Sequence, residues 1–262
     1  MRIEFLSTNA HAVLDENRTG MPYVIIYAGN IFLGNFMKLS VLIPVFNEQR
    51  TLREIIQRAM SQKIDGISAL EIVVVDDAST DDSRVIIHEL HQDYPDIIHP
   101  ILLEQNQGKG NAIHTAIKAA SGDIAIIQDA DLEYDPKDYE IVLRPILNGE
   151  ADVVYGSRFA EREQRRVLYF RHTLANRFLT FVSNWFTDLN LTDMETCYKA
   201  FRLQVAKTIP IRSKGFGIEP ELTAKFAKRK LRIFEVPISY HGRTYNEGKK
   251  ITWSDGWEAL WT

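Results

Sequence analysis

From Lys38 onward the chain alternates short, β-branched apolar runs with longer amphipathic stretches, and that alternation leaves few folds open to it. LSVLIPV, EIVVVD, HPILLE, DIAIIQD and ADVVYG are each bounded by polar or turn residues, the pattern of parallel strands buried on both faces. Between them, roughly residues 48–61, 79–91, 108–120 and 136–147 carry helical periodicity. Strand alternating with helix predicts an α/β fold: a doubly wound, mostly parallel sheet with helices on both faces. The folded domain is expected to start near Met37, with residues 1–36 an N-terminal extension that need not belong to it.

At 262 residues the chain can bury one large core. A net charge of −4 argues against a general nucleic-acid binder. The single cysteine, Cys197, excludes an intrachain disulfide and a thiolate zinc cluster, and fits a reducing compartment. The nearest approach to a membrane span, PYVIIYAGNIFLGNFM at 22–37, is too short and is broken by Asn30 and Asn35. The acidic segment before it makes a poor signal peptide.

In open α/β sheets the ligand crevice lies beyond the carboxyl ends of the strands. PVFNE, VDDAST, EQNQGKGN and QDADLE each follow a predicted strand directly, so four polar loops converge on that edge. IIQDADLEYDP crowds Asp129, Asp131, Glu133 and Asp135 into seven residues. In an extended segment the first three would project to one side and repel one another. An isolated D-x-D is usually a solvated turn; at a buried strand end among other polar loops, it suits Mg2+ or Mn2+ with phosphate oxygens. Asp135 reads as a cap before Pro136. In VVVDDASTDDS, Asp76 or Asp77 is placed to accept from a base N–H or ribose hydroxyls, while Ser79 reads as a helix cap. NQGKGNA lacks the first glycine and the Ser/Thr of a P-loop, and Gly108-x-Gly110 lacks a third glycine. It reads equally as a glycine-rich helix start, with Lys109 within reach of a phosphate.

Past Gly156 the character changes. Residues 157–177 hold six arginines and two glutamates, then Leu174, Phe178, Phe181, Val182, Trp185 and Phe186 recur at helical spacing as one stripe. Arg171 opens that helix on its apolar side, seven residues before Phe178. Such stripes usually pack into a core and such arginines usually snorkel; together they also suit a phosphate carried on a lipid tail. RKLRIFEVPISYHGRTYNEGKKI reads as a strand feeding a mobile basic loop.

Taken in order, VLIPVFNE, VVVDDASTDDS, NQGKGNA and QDADLEYDP resemble the nucleotide-sugar half of family 2 glycosyltransferases, which have the GT-A fold. YGSRF, RHTLAN, TDMETCYKAFR, GFGIEPEL and HGRTYNEGKK are similar to the dolichol- or polyprenyl-phosphate branch of that family. The resemblance runs from about residue 38 to the C-terminus. It implies a nucleotide-sugar half over 37–156 and an acceptor half over 157–262. It implies donor contacts at Pro44, Val45, Phe46, Asn47, Glu48, Val75, Asp76, Asp77, Lys109, Asp129, Ala130, Arg243 and Lys249. The metal would sit on Asp129 and Asp131, with Glu133, where relatives often carry glutamine, as a third ligand. Arg158, Arg171 and Ala175 would meet the acceptor phosphate, and Asp131, Arg158 and Arg171 would carry the catalysis.

The implied reaction moves one sugar from a GDP- or UDP-linked donor to a polyprenyl phosphate with inversion, using Mg2+ or Mn2+, by an enzyme peripheral to the cytoplasmic face of a membrane. A membrane-protein partner fits that setting. A phosphate acceptor is largely dianionic at neutral pH and needs positive charge rather than a base. A hydroxyl acceptor would need a base, for which Glu219 and Glu221 are the candidates. Transfer to a saccharide or protein hydroxyl, or a silent nucleotide-sugar-binding subunit, are the competing expectations. A haloacid-dehalogenase-like phosphatase is excluded, because Leu132 and Glu133 follow its D-x-D deep in the chain.

Overall fold

The computed structural model describes residues 5–7, 10–13, 23–27, 30–34, 36–161, 167 and 169–242. The first four segments are β1 (Phe5–Ser7), β2 (Ala10–Val13), β3 (Tyr23–Tyr27) and β4 (Asn30–Gly34), which pair in sequence order as a sheet of their own. The apolar run at 22–37 is therefore divided between two antiparallel strands, with Tyr27 opposite Asn30.

A second sheet starts at Met37. Its described strands are β5 (Met37–Val45), β6 (Ile67–Asp76), β7 (Ile98–Leu102), β8 (Ile124–Ile127), β9 (Val153–Ser157), β10 (Lys199–Arg202) and β11 (Ile233–Pro237), in the order β11-β9-β10-β8-β5-β6-β7. The described helices are α1 (Leu52–Met60), α2 (Ser83–Asp93), α3 (Lys109–Ala119), α4 (Tyr139–Leu147), α5 (Phe170–Thr187), α6 (Leu203–Lys207) and α7 (Ile218–Lys228). The chain steps outward from β5 to β6 and β7, then returns to the other side of β5 as β8. Right-handed crossovers therefore send α1 and α2 to one face and α3 to the other. That reversal between β5 and β8 is the topological switch point, where α/β sheets open a crevice for ligands.

The five predicted strands all form, and Val41, Leu42, Ile43, Val73, Val74, Val75 and Ile126 are wholly or almost wholly buried. One strand was not anticipated. β10 runs antiparallel between β8 and β9, so it interrupts the otherwise parallel ladder. KAFR is too short to show a period, and it begins with the buried Lys199. Ser79 is not a helix cap either: α2 starts four residues later, and Ser79 Oγ accepts from the Asn47 amide at 2.9 Å.

Under the opposite edge, Glu71 ties β6 to the turn before β8. Its carboxylate accepts from Ser40 Oγ at 2.5 Å, Ser121 N and Oγ at 2.5 and 2.6 Å, and Gly122 N at 3.1 Å, and pairs with Lys38 at 2.6 Å. Burial alone would raise its pKa, but the Lys38 ammonium and the Ser121 and Ser40 donors together lower it from 4.5 to about 2. The unfolded chain thus binds the proton more readily, so this stability is complete above about pH 4.5 and is lost as pH falls toward 2. Glu71→Gln is expected to cost about 2–3 kcal/mol at pH 7. The difference from wild type in urea midpoint should narrow as pH drops through that window.

Candidate functional site

The carboxyl ends of three strands lie side by side at the switch point. Pro44 is opposite Val75, Val45 opposite Asp76, and Leu42 opposite Ile127. The loops after β5, β6 and β8 therefore share one edge, and each contains a non-glycine residue in the left-handed region: Asn47 (φ 55°), Ala78 (φ 61°) and Leu132 (φ 61°). Such a conformation costs an L-residue about 1–2 kcal/mol, and strain of this kind concentrates at ligand sites. Neighbouring bonds hold it in place. Asn47 Oδ1 accepts from Thr80 N at 2.8 Å, and Asp76 Oδ2 from Ser79 N at 3.2 Å. Asp131 Oδ1 accepts from Glu133 N at 3.1 Å.

That last bond corrects the extended reading of the acidic loop. Leu132 turns the chain, so Asp129, Asp131 and Glu133 do not line one side of a strand. Glu133 is buried and Tyr240 Oη donates to its Oε2 at 2.6 Å, while His241 N donates to its carbonyl at 2.8 Å. Among the described residues, no three His, Cys, Asp or Glu side chains are grouped to hold a metal ion. Asp135 does cap, accepting from Lys137 N at 3.1 Å. Upstream, Gln128 is fully buried, and Tyr139 and Tyr198 donate to its Oε1 at 2.8 and 2.7 Å. Its Nε2 donates to the Asp129 carbonyl at 2.9 Å, anchoring the start of the loop. The two tyrosines come from α4 and from the residue before β10, a convergence with no signal in local sequence.

Lys109 faces this loop rather than open solvent. Its Nζ lies 3.0 Å from Asp129 Oδ1 and 3.1 Å from Glu219 Oε1. Burial would lower its pKa, but Asp129 and Glu219 together hold it well above the ordinary lysine value. The glycines around it are packing glycines. A Cβ on Gly110 would meet Ser213 O at 2.4 Å, and one on Gly108 would meet Lys214 O at 2.5 Å. Asn111 N donates to Lys214 O at 3.0 Å, so backbone carbonyls of 213–215 cover the start of α3. The two glutamates differ. Glu221 accepts from Arg212 N, Ser213 N and Lys225 Nζ; although burial opposes it, these donors lower its pKa. Glu219 is 5% exposed, and its Oε2 is buried without a partner among the described residues.

The paired aspartates after β6 also differ. Asp77 accepts from Gln107 N at 2.8 Å and Gly108 N at 2.7 Å, pinning the glycine loop. Asp76 Oδ2 binds Arg84 Nε at 2.6 Å, while its Oδ1 is buried without a partner among the described residues. Val75 and Ala130 are buried, Pro44 is half-buried, and the Phe46 ring is exposed. Glu48 N donates to Ser83 Oγ at 3.0 Å.

Arg158 follows β9 and is 9% exposed. Its Nε and Nη2 donate to the two oxygens of the fully buried Asp193, each at 2.7 Å, and its guanidinium lies 5.2 Å from the Tyr240 ring centroid. Burial opposes the charge, but Asp193 holds its pKa well above the usual arginine value. Arg171 is exposed in the first turn of α5, and Ala175 is half-buried one turn on. Along the same helix Leu174, Phe178, Phe181, Trp185 and Phe186 are exposed, Trp185 by 77%. The stripe is not core packing. Among the described residues no helix is long and apolar enough to cross a membrane. Arg243 and Lys249 lie outside the described residues.

Comparison with known proteins meets this geometry. The chain is 30% identical over 211 residues to an undecaprenyl-phosphate 4-deoxy-4-formamido-L-arabinose transferase of Edwardsiella ictaluri, covering 80% of this chain and 62% of the relative. It is 30% identical over 215 residues to a dolichol-phosphate mannosyltransferase of Pyrococcus furiosus, covering 81% and 59%. It therefore spans about three-fifths of the length of these curated relatives. Glucosyl-3-phosphoglycerate synthase from Mycobacterium tuberculosis, solved with UDP, superposes with a TM-score of 0.65 at 22% identity, over 86% of this chain and 78% of that one. The same enzyme with Mn2+, UDP and phosphoglyceric acid gives 0.62 at 22% identity, over 80% and 73%. The sheet is thus the GT-A sheet anticipated from sequence. The Glycosyl transferase family 2 model matches residues 40–209, and the chain belongs to that family.

Proposed function

We propose that this chain transfers one sugar from a nucleotide sugar to a polyprenyl phosphate at the cytoplasmic face of a membrane. The observation that carries the reading is α5, which presents five large apolar side chains to solvent directly after Arg171. An apolar surface of this kind fits a lipid interface. Two relatives named for undecaprenyl-phosphate and dolichol-phosphate substrates support the same acceptor class.

The donor belongs at the switch point. Of the two aspartates after β6, Asp76 is better suited to accept from ribose or base, because both oxygens of Asp77 are engaged by backbone N–H groups. Pro44 to Glu48, Val75 and Ala130 border the same space. Asp129 and Asp131 fit Mg2+ or Mn2+, which takes one or two carboxylates and completes its shell with phosphate oxygens and water. Asp129 already holds a positive charge, the Lys109 ammonium. The bound cation would stabilise negative charge on the departing diphosphate. Glu133, held by Tyr240, is outside that pair. Arg243 and Lys249 would add positive charge over the diphosphate.

Arg158 and Arg171 would bind the acceptor phosphate, Arg158 held in place by Asp193 and Arg171 at the lipid-facing helix with Ala175 beside it. The phosphate oxygen is its own nucleophile, so no protein base is required. Glu221 is committed to three donors and Glu219 to Lys109, which supports the base-free route. Direct displacement inverts the anomeric carbon.

The test supplies labelled GDP- and UDP-sugars, Mn2+ and a short polyprenyl phosphate. Label is expected in the lipid with inverted configuration by NMR; label in an added saccharide with none in the lipid would overturn the reading. Phe178→Asp, at a side chain 55% exposed, should keep its thermal midpoint and weaken co-sedimentation with anionic vesicles roughly tenfold.

A further inference from the structure

Lys109 meets Asp129 through both carboxylate oxygens, Nζ lying 3.0 Å from Oδ1 and 3.3 Å from Oδ2. The same ammonium is 3.1 Å from Glu219 Oε1. Its backbone is fixed, because Gly108 and Gly110 are closed against the 213–215 carbonyls and Asn111 N is bonded to Lys214 O. Only the side chain is free to swing. An ammonium in contact with Asp129 repels a divalent cation that binds the same carboxylate and weakens the cation's hold on it. A cation arriving at Asp129 is therefore bound more tightly once Lys109 moves away, and the structure contains a place for it. Glu219 is already in contact and keeps Oε2 buried without a donor among the described residues.

We propose that Lys109 is an internal counterion of Asp129 that a divalent cation displaces, and that Glu219 is the positioning residue that receives the displaced ammonium. The proposal rests on the reading of Asp129 as a cation ligand. The swing is short, and the ammonium replaces the Asp129 oxygens with the second Glu219 oxygen. Asp129 is never left without a countercharge, and the protein without nucleotide holds the cation weakly. Lys109 and Glu219 thereby act on the cation's occupancy of Asp129 without touching the cation.

The experiment titrates Mn2+ alone, without nucleotide, into the full chain and its variants, following free Mn2+ by electron paramagnetic resonance. Lys109→Met should bind Mn2+ about tenfold tighter than wild type, within the usual range for coupling between sites. Glu219→Gln should bind it several-fold more weakly, because Lys109 then has only Asp129 to pair with. Lys137→Met removes an exposed charge from the turn just beyond and should stay within about twofold of wild type, as screened surface charges do. If Lys109→Met binds no tighter than Lys137→Met, the displacement idea is wrong and the cation site itself survives. If Asp129→Asn binds Mn2+ as wild type does, the cation sits elsewhere and both fall. Circular dichroism checks folding, and Lys109→Gln carries the comparison if the methionine variant fails to fold.

Discussion

Replacing Asp193 by Asn is expected to lower stability by about 3–5 kcal/mol, the cost of leaving a buried charge without its partner. Arg158 keeps 9% of its side chain exposed and donates two parallel bonds to the two Asp193 oxygens, while Arg158 N donates to Oδ2 at 2.9 Å. Asparagine keeps the shape and one acceptor but removes the countercharge, and its amide would face the guanidinium with the wrong polarity. Arg158→Met in the same background should recover much of the loss, since a well-packed apolar pair is often no worse than a buried ion pair. Urea unfolding of the two single variants and the double variant checks this. A loss under about 1 kcal/mol for Asp193→Asn would mean that Arg158 has another countercharge. Arg158→Lys should not rescue function, because one ammonium cannot reproduce the fork.

Asp131→Asn is expected to reduce sugar transfer by roughly 10²–10³-fold at saturating donor, the range seen when one stabilising contact to developing charge is lost. Stability should barely move. The amide keeps an Oδ1 acceptor for Glu133 N, so the turn around Leu132 survives while the negative charge does not. A matched pair of measurements, transfer to polyprenyl phosphate and thermal midpoint, separates loss of chemistry from loss of fold. Full turnover in Asp131→Asn would remove this residue from the cation site.

The strands of the large sheet were legible because β5, β6 and β8 are wholly or largely buried and their sequences say so. The site edge was legible for the same reason, since each polar loop follows a strand that could be read. What escaped was geometry that depends on distant partners. Leu132 has no side-chain chemistry that announces a left-handed turn, so the acidic loop read as extended. Gln128 looks like an ordinary polar residue until Tyr139 and Tyr198 close on it from two other elements. The glycines flanking Lys109 read equally as a helix start, which α3 bears out, but nothing local shows that they also make room for residues 213–215, about a hundred positions away. The α5 stripe was found, but only its exposure distinguishes a solvent-facing helix from a core one.

The antiparallel β10 has a consequence for how the chain is made. β8 ends at Ile127, yet its ladder on one side is completed only by Ala200–Arg202. Until some seventy further residues have left the ribosome, β8 presents an unpaired edge, the feature by which sheets recruit other chains. Nascent chains that expose such an edge are prone to misassembly. The division at residue 156 suggested by the order of the motifs is therefore not a place to cut. A fragment ending there would carry the acidic loop and the strands of the switch point, but it should aggregate rather than fold, because the strand that protects β8 is encoded on the far side of the cut.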